Sequence, residues 1–125
     1  MVDLCVEPDI IVLIVEDEPL LMLLAVSIVE DAGYVALEAG SAAAAIIILE
    51  SRTDIRIVFS DVGLPGDMDG LKLANLIRDR WPPIALLLTS GRPLPGSGEL
   101  PAGGIFIPKP YQSEEVTDAL HELAA

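Results

Sequence analysis

Glu16, Asp17, Asp61, Thr89 and Lys109 each stand at the end of a short apolar run or directly after one. Three carboxylates gathered in one cleft repel, and at least one holds a proton unless a cation intervenes. An oxygen-rich site with few protein ligands suits Mg²⁺, which keeps several waters and often bridges to phosphate. An aspartate in such a site can act as a nucleophile and carry an acyl phosphate. The metal neutralises phosphoryl oxygens as charge spreads over them. A lysine offers one oxygen a compact positive charge, and a small hydroxyl residue can hydrogen-bond another. The chain supplies each part: Asp61 as nucleophile, Glu16 and Asp17 as metal acids, Lys109 as cation and Thr89 as hydroxyl.

Residues that end different strands meet only if those strands lie parallel, side by side. The pattern of the chain provides this. Ile10 to Val15 is a short apolar run with β-branched residues, as expected of a strand covered on both faces. Pro19 stands where a helix begins and Gly33 where it ends. Tyr34 to Leu37 reads as a second strand. Ser41 reads as the N-cap of a helix over Ala42 to Glu50, and Ile55 to Ser60 as a third strand. A helix over Leu71 to Arg80, with Asp69 as its N-cap, is closed by Trp81-Pro82-Pro83. Ile84 to Thr89 and Ile105 to Ile107 are strands four and five, and Ser113 caps a last helix reaching Leu123. Alternating strands and helices imply right-handed crossovers, a parallel sheet and helices on both faces. Ligands of such α/β sheets bind at the carboxyl ends of the strands, where all five residues fall.

One stretch departs from the alternation. Between Thr89 and Ile105, three prolines and five glycines leave no window for a normal helix, so the fourth crossover helix is expected to be short or absent. A chain of 125 residues is one domain; residues 10–125 form it, after an N-terminal extension over residues 1–9. Apolar residues make up 52%, which excludes a disordered chain. The longest nearly apolar stretch, Leu20 to Val29, is too short to span a bilayer. The N-terminus has no basic signal-like region, which points to a cytoplasmic protein with no membrane insertion. Cys5 is the one cysteine and reads as incidental. A net charge of −13 disfavours direct contact with nucleic acid.

With these residues in place, the chain resembles the receiver domain of two-component response regulators over nearly all its length. The motifs are Val15-Glu16-Asp17-Glu18-Pro19, Ser60-Asp61-Val62-Gly63-Leu64-Pro65 with Met68-Asp69-Gly70, Leu88-Thr89-Ser90 and Pro108-Lys109-Pro110. The resemblance implies a flavodoxin-like, doubly wound sheet of five strands in the order 2-1-3-4-5. It implies that Asp61 takes a phosphoryl group from a histidine kinase or histidine phosphotransfer protein. Asp17 and Asp61 would ligate Mg²⁺ directly, Glu16 through water, and Gly63 by its backbone carbonyl. Thr89 would move to the phosphoryl group, Phe106 would change rotamer with it, and Lys109 would pair with it. The Lys109–Pro110 bond would be cis, a minority state for X-Pro. The protein would be a stand-alone, phospho-accepting switch or shuttle, not an enzyme, with a downstream protein target and no output domain. Departures from the family are the weakened fourth helix and a stretch from Asp61 to Gly70 that is one residue longer than in the commonest members. The first puts the usual dimer face in doubt, leaving a monomer or weak dimer.

Two other functions compete. An Asp-nucleophile phosphohydrolase would need a second acid after Asp61 at the spacing such enzymes use for proton transfer, and a cap insertion over its substrate, and the chain has neither. A degenerate receiver acting only as a binding module would lack phosphorylation residues, and all are present. Phe106 reads equally well as a core residue and as a switch aromatic. His121 reads as a favourable charge near a helix C-terminus. In the first helix, Leu21, Leu24, Ala25, Ile28 and Ala32 form a stripe that faces the sheet. Met22, Leu23 and Val26 are left over, and are expected to dock on the helical bundle of the phosphoryl donor.

Overall fold

β1 (Ile11–Val15) is buried at every residue, as a strand packed on both faces must be. In the computed structural model, which describes residues 9–64, 68–91 and 104–125, it is one of five parallel strands. The others are β2 (Val35–Ala39), β3 (Ile55–Asp61), β4 (Ala85–Ser90) and β5 (Ile105–Pro108), in the order β2-β1-β3-β4-β5. The helices are α1 (Pro19–Asp31), α2 (Ala42–Ser51), α3 (Gly70–Arg80) and α4 (Ser113–Ala124). This is the doubly wound, flavodoxin-like sheet that the sequence leads one to expect. Three expectations lie outside the described residues: the short or absent fourth crossover helix, which would fall within 92–103, the lengthened loop, which includes 65–67, and Cys5 in the N-terminal segment.

Successive side chains of a strand point to opposite faces, and both faces here are covered. Val12, Ile14, Ile57, Phe59 and Leu87 pack under α1 and α4. Leu13, Val15, Val58, Leu86 and Leu88 pack under α2 and α3. Among the described residues, no helix is long and apolar enough to cross a membrane.

The helix ends follow local chemistry. Pro19 opens α1 and Gly33, at φ 95°, takes the left-handed turn beyond its end. Ser41 caps α2: the Ala44 N–H donates to its Oγ at 3.1 Å. Asp69 caps α3: the Lys72 N–H donates to its Oδ1 at 2.8 Å. Ser41→Ala is expected to cost about 1 kcal/mol, read as a lower urea midpoint with an unchanged slope. At α4 the cap is Gln112 rather than Ser113, which is the first helical residue. The Gln112 N–H donates to Glu115 Oε1 at 3.0 Å, so the glutamate three residues on selects the earlier residue. His121, near the end of α4, meets the Tyr34 ring edge-on at 5.8 Å.

The face of α1 differs from the expectation. Met22, Ala25, Ile28 and Val29 are buried, and Val26 is half-buried in the same layer. Met22 and Val26 therefore face the core and offer no docking surface. The outward apolar residues are Leu20, Leu23 and Leu24, exposed by 78%, 66% and 43%. The physical reason is that α1 is apolar nearly all round, so two stripes satisfy a helical period equally. α4, which packs beside α1 over the same strands, fixes which stripe is buried.

Candidate functional site

Strand register builds the site. Val15 is opposite Ser60, Asp61 opposite Thr89, and Ser90 opposite Pro108. Each strand's next residues therefore emerge together at one edge: Glu16 and Asp17 after β1, Asp61 at the end of β3, and Lys109 after β5. Backbone bonds extend the ladders past the strand ends. Val62 N–H donates to the Thr89 carbonyl at 2.7 Å and Lys109 N–H to the Ser90 carbonyl at 2.9 Å.

One oxygen each from Glu16, Asp17 and Asp61 lies within 4.8 Å of the others. Lys109 Nζ donates to Asp61 Oδ2 at 2.9 Å and to Glu16 Oε1 at 3.3 Å. Asp61 Oδ1 accepts the Gly63 N–H at 3.0 Å, and Glu16 Oε2 accepts the Glu18 N–H at 3.1 Å. The Asp61 carboxylate is thus fixed at both oxygens. Glu16 is buried with both oxygens engaged, whereas Asp17 is exposed.

Charge and donor type together fit a divalent cation. Three carboxylates against one ammonium leave two negative charges, and all the ligand atoms are hard oxygens, the set that Mg²⁺ prefers. Burial raises the Glu16 carboxyl above its ordinary pKa, further than the Glu18 amide and Lys109 lower it. Burial also presses on the Lys109 ammonium, but the hydrogen bond and charge of Asp61, together with Glu16, outweigh it and carry the pKa upward. A raised lysine pKa contributes stability that is complete below 10.5, the ordinary value, and is lost as pH rises through the folded value. Lys109→Met should therefore flatten the alkaline limb of the stability curve above about pH 10.5, measured by urea unfolding. Tyr111, whose phenol is raised by burial and lowered by the Lys109 charge, is raised further in the variant and so opposes part of this flattening.

Thr89 is buried at the register position facing Asp61, and Ser90 beside it is buried too. Phe106 is half-buried in the layer of α2 and α3, so it is not sealed in the core. The Lys109–Pro110 bond is cis. Tyr111 does more than the sequence suggests. Its ring packs on Phe59, with centroids 5.9 Å apart, and it lines an apolar cleft of about 350 Å³ with Leu21, Leu24, Gly91, Lys109 and Pro110. Its place two residues after Lys109, at the edge of the site, was the available signal. A second, more polar cleft of about 320 Å³ opens on Asp61 between Gly63, Ser90 and Gly91.

Comparison with known proteins places this geometry. The model of the response regulator receiver domain matches residues 12–121. The nitrogen assimilation regulatory protein NtrX of Azorhizobium caulinodans is 32% identical over 112 residues, 84% of this chain and 24% of that protein. The chain thus spans about a quarter of that relative's length. A response regulator receiver protein from Sinorhizobium medicae WSM419 superposes with a TM-score of 0.83 at 26% identity, over 92% of this chain and 94% of that one. The chemotaxis protein CheY4 of Vibrio cholerae shares the fold, with a TM-score of 0.80 at 20% identity, over 93% and 99% of the two chains. With a family match from the first strand into the last helix, and its motif acids and lysine meeting at one edge of the sheet, the chain belongs to the response regulator receiver domains of two-component systems.

Proposed function

We propose that Asp61 accepts a phosphoryl group from the phosphohistidine of a histidine kinase or phosphotransfer protein, and that the phosphorylated form changes its contacts with a downstream protein. One observation carries this reading: Asp61 meets two further acids within 4.8 Å, with Lys109 Nζ 2.9 Å from its Oδ2. In the transfer, a carboxylate oxygen of Asp61 attacks phosphorus and an acyl phosphate forms. The P–N bond to the donor imidazole breaks and its electron pair stays on the nitrogen. When bound by Asp17, Asp61 and the Gly63 carbonyl, with Glu16 acting through water, Mg²⁺ supplies neutralisation of the phosphoryl oxygens. The Gly63 amide keeps the acceptor carboxylate oriented. Lys109 follows the negative charge from Asp61 onto a phosphoryl oxygen. Thr89 turns its hydroxyl to another oxygen, and Phe106, which is half-buried, changes rotamer with it.

The chemistry is stoichiometric. The chain is a phospho-acceptor with its own phosphorylation and dephosphorylation, not a turnover enzyme, and works beside its donor in the cytoplasm. Amide NMR during titration with Mg²⁺ and then beryllofluoride tests this. The expected result is a one-to-one change at Asp61, Thr89, Ser90 and Lys109. The absence of any Mg²⁺-dependent change would leave a binding module, and sustained turnover of small phosphoesters would leave a hydrolase.

The exposed leucines of α1 suit the donor's helical bundle, since Leu24 also lines the apolar cleft that contains Lys109. Leu20→Lys with Leu23→Lys should slow transfer from the partner by about tenfold while leaving phosphorylation by acetyl phosphate unchanged. Equal loss with both donors would remove α1 from the docking surface.

A further inference from the structure

Gly70 opens α3 and is buried against the acceptor itself. Its N–H donates to the Val62 carbonyl at 2.9 Å. A Cβ built on it would stand 2.7 Å from the carbonyl carbon of Asp61 and from Cα of Val62, and would overlap the Asp61 carbonyl oxygen. These are backbone atoms, so no rotamer change relieves the overlap. The φ of Gly70 is not in the left-handed region, which Gly33 alone occupies among the described residues. The requirement at position 70 is therefore space and not conformational freedom.

Neither partner in this contact has room to retreat. α3 is anchored by its Asp69 cap and by buried Leu73, Ala74 and Ile77. Asp61 is paired to Thr89 across the sheet, the Ser60 hydroxyl donates to its carbonyl at 3.1 Å, and Val62 is bonded to the Thr89 carbonyl. Close to this contact the Gly63 amide holds Asp61 Oδ1 at 3.0 Å, so a shift of the Asp61–Val62 backbone reaches the carboxylate through this bond.

We infer that Gly70 is a positioning residue for phosphoryl acceptance: its missing side chain seats α3 directly on the Asp61–Val62 backbone and so sets the carboxylate against the Gly63 amide and Lys109. This rests on the reading of Asp61 as phospho-acceptor. A displacement on the order of 1 Å at a reacting group costs about 100-fold, and a methyl at position 70 forces a shift of that size.

The test compares Gly70→Ala with Ala74→Gly in the same helix. The second weakens α3 through helix propensity and lost packing but adds nothing near Asp61. Two quantities are read: hydrogen exchange of the Val62 amide without metal, and beryllofluoride affinity with Mg²⁺. Trimethylamine N-oxide keeps a weakened variant folded. In Gly70→Ala, Val62 should exchange about tenfold or more faster while the other β3 and β4 amides stay protected, and affinity should fall about 100-fold. Ala74→Gly should lower the melting temperature and leave both readings unchanged. Three outcomes overturn the inference: wild-type exchange and affinity in Gly70→Ala, the same losses in Ala74→Gly, or a Gly70→Ala chain that stays unfolded in the osmolyte. If the wild type ignores beryllofluoride, it is the acceptor reading that fails, and the exchange rates still judge Gly70.

Discussion

Asp61→Asn is expected to reduce phosphoryl incorporation from acetyl phosphate to background, a loss of about 10⁴-fold or more. A carboxamide oxygen has no full negative charge with which to attack phosphorus. The substitution should leave the fold intact, because the carboxamide retains an oxygen for the Gly63 amide and keeps nearly the same volume. It also removes one of three clustered negative charges, offsetting a weakened bond to Lys109. The melting temperature should therefore stay within a few degrees of wild type, about the shift that 1 kcal/mol produces. Intact mass after incubation with donor and Mg²⁺ reads the loss directly. Incorporation persisting in the variant would hand the acceptor role to Glu16 or Asp17.

The second large effect separates the two other acids. Asp17→Asn should weaken Mg²⁺ binding by at least about 100-fold, beyond what loss of an outer-sphere partner does. Glu16→Gln should weaken it by only about tenfold, within the outer-sphere range. The structure motivates the order: both Glu16 oxygens are engaged, by Lys109 and by the Glu18 amide, whereas Asp17 is exposed. Calorimetric titration of each variant with Mg²⁺ measures the order. Equal losses would place both carboxylates in direct contact with the ion.

Much of this was legible in the sequence because two periodicities and four short motifs agreed. A buried parallel strand must be apolar throughout, so Ile11–Val15 and the runs before Asp61 and Thr89 announced themselves, and the residues after them had to share an edge. Ser41 and Asp69 announced their helices by cap chemistry alone. What was not legible depended on neighbours. α1 is apolar nearly all round, so its buried face was decided by α4, and Met22 and Val26 went inward while Leu20 and Leu24 went outward. The cap of α4 moved to Gln112 because Glu115 could reach its amide. Gly70 stood in the sequence only as part of the Met68-Asp69-Gly70 motif, since its packing on the backbone of Asp61 depends on how α3 meets β3.

Receiver chemistry at Asp61 can be read most directly by trapping the phosphorylated chain. Borohydride reduces an acyl phosphate to the alcohol, turning a phosphorylated aspartate into homoserine. After incubation with acetyl phosphate and Mg²⁺, peptide mass spectrometry should find homoserine at position 61, no reduced side chain at any other acid, and neither without Mg²⁺. A chain that remains unreduced at Asp61 under these conditions, or one reduced mainly at Glu16 or Asp17, contradicts the assignment.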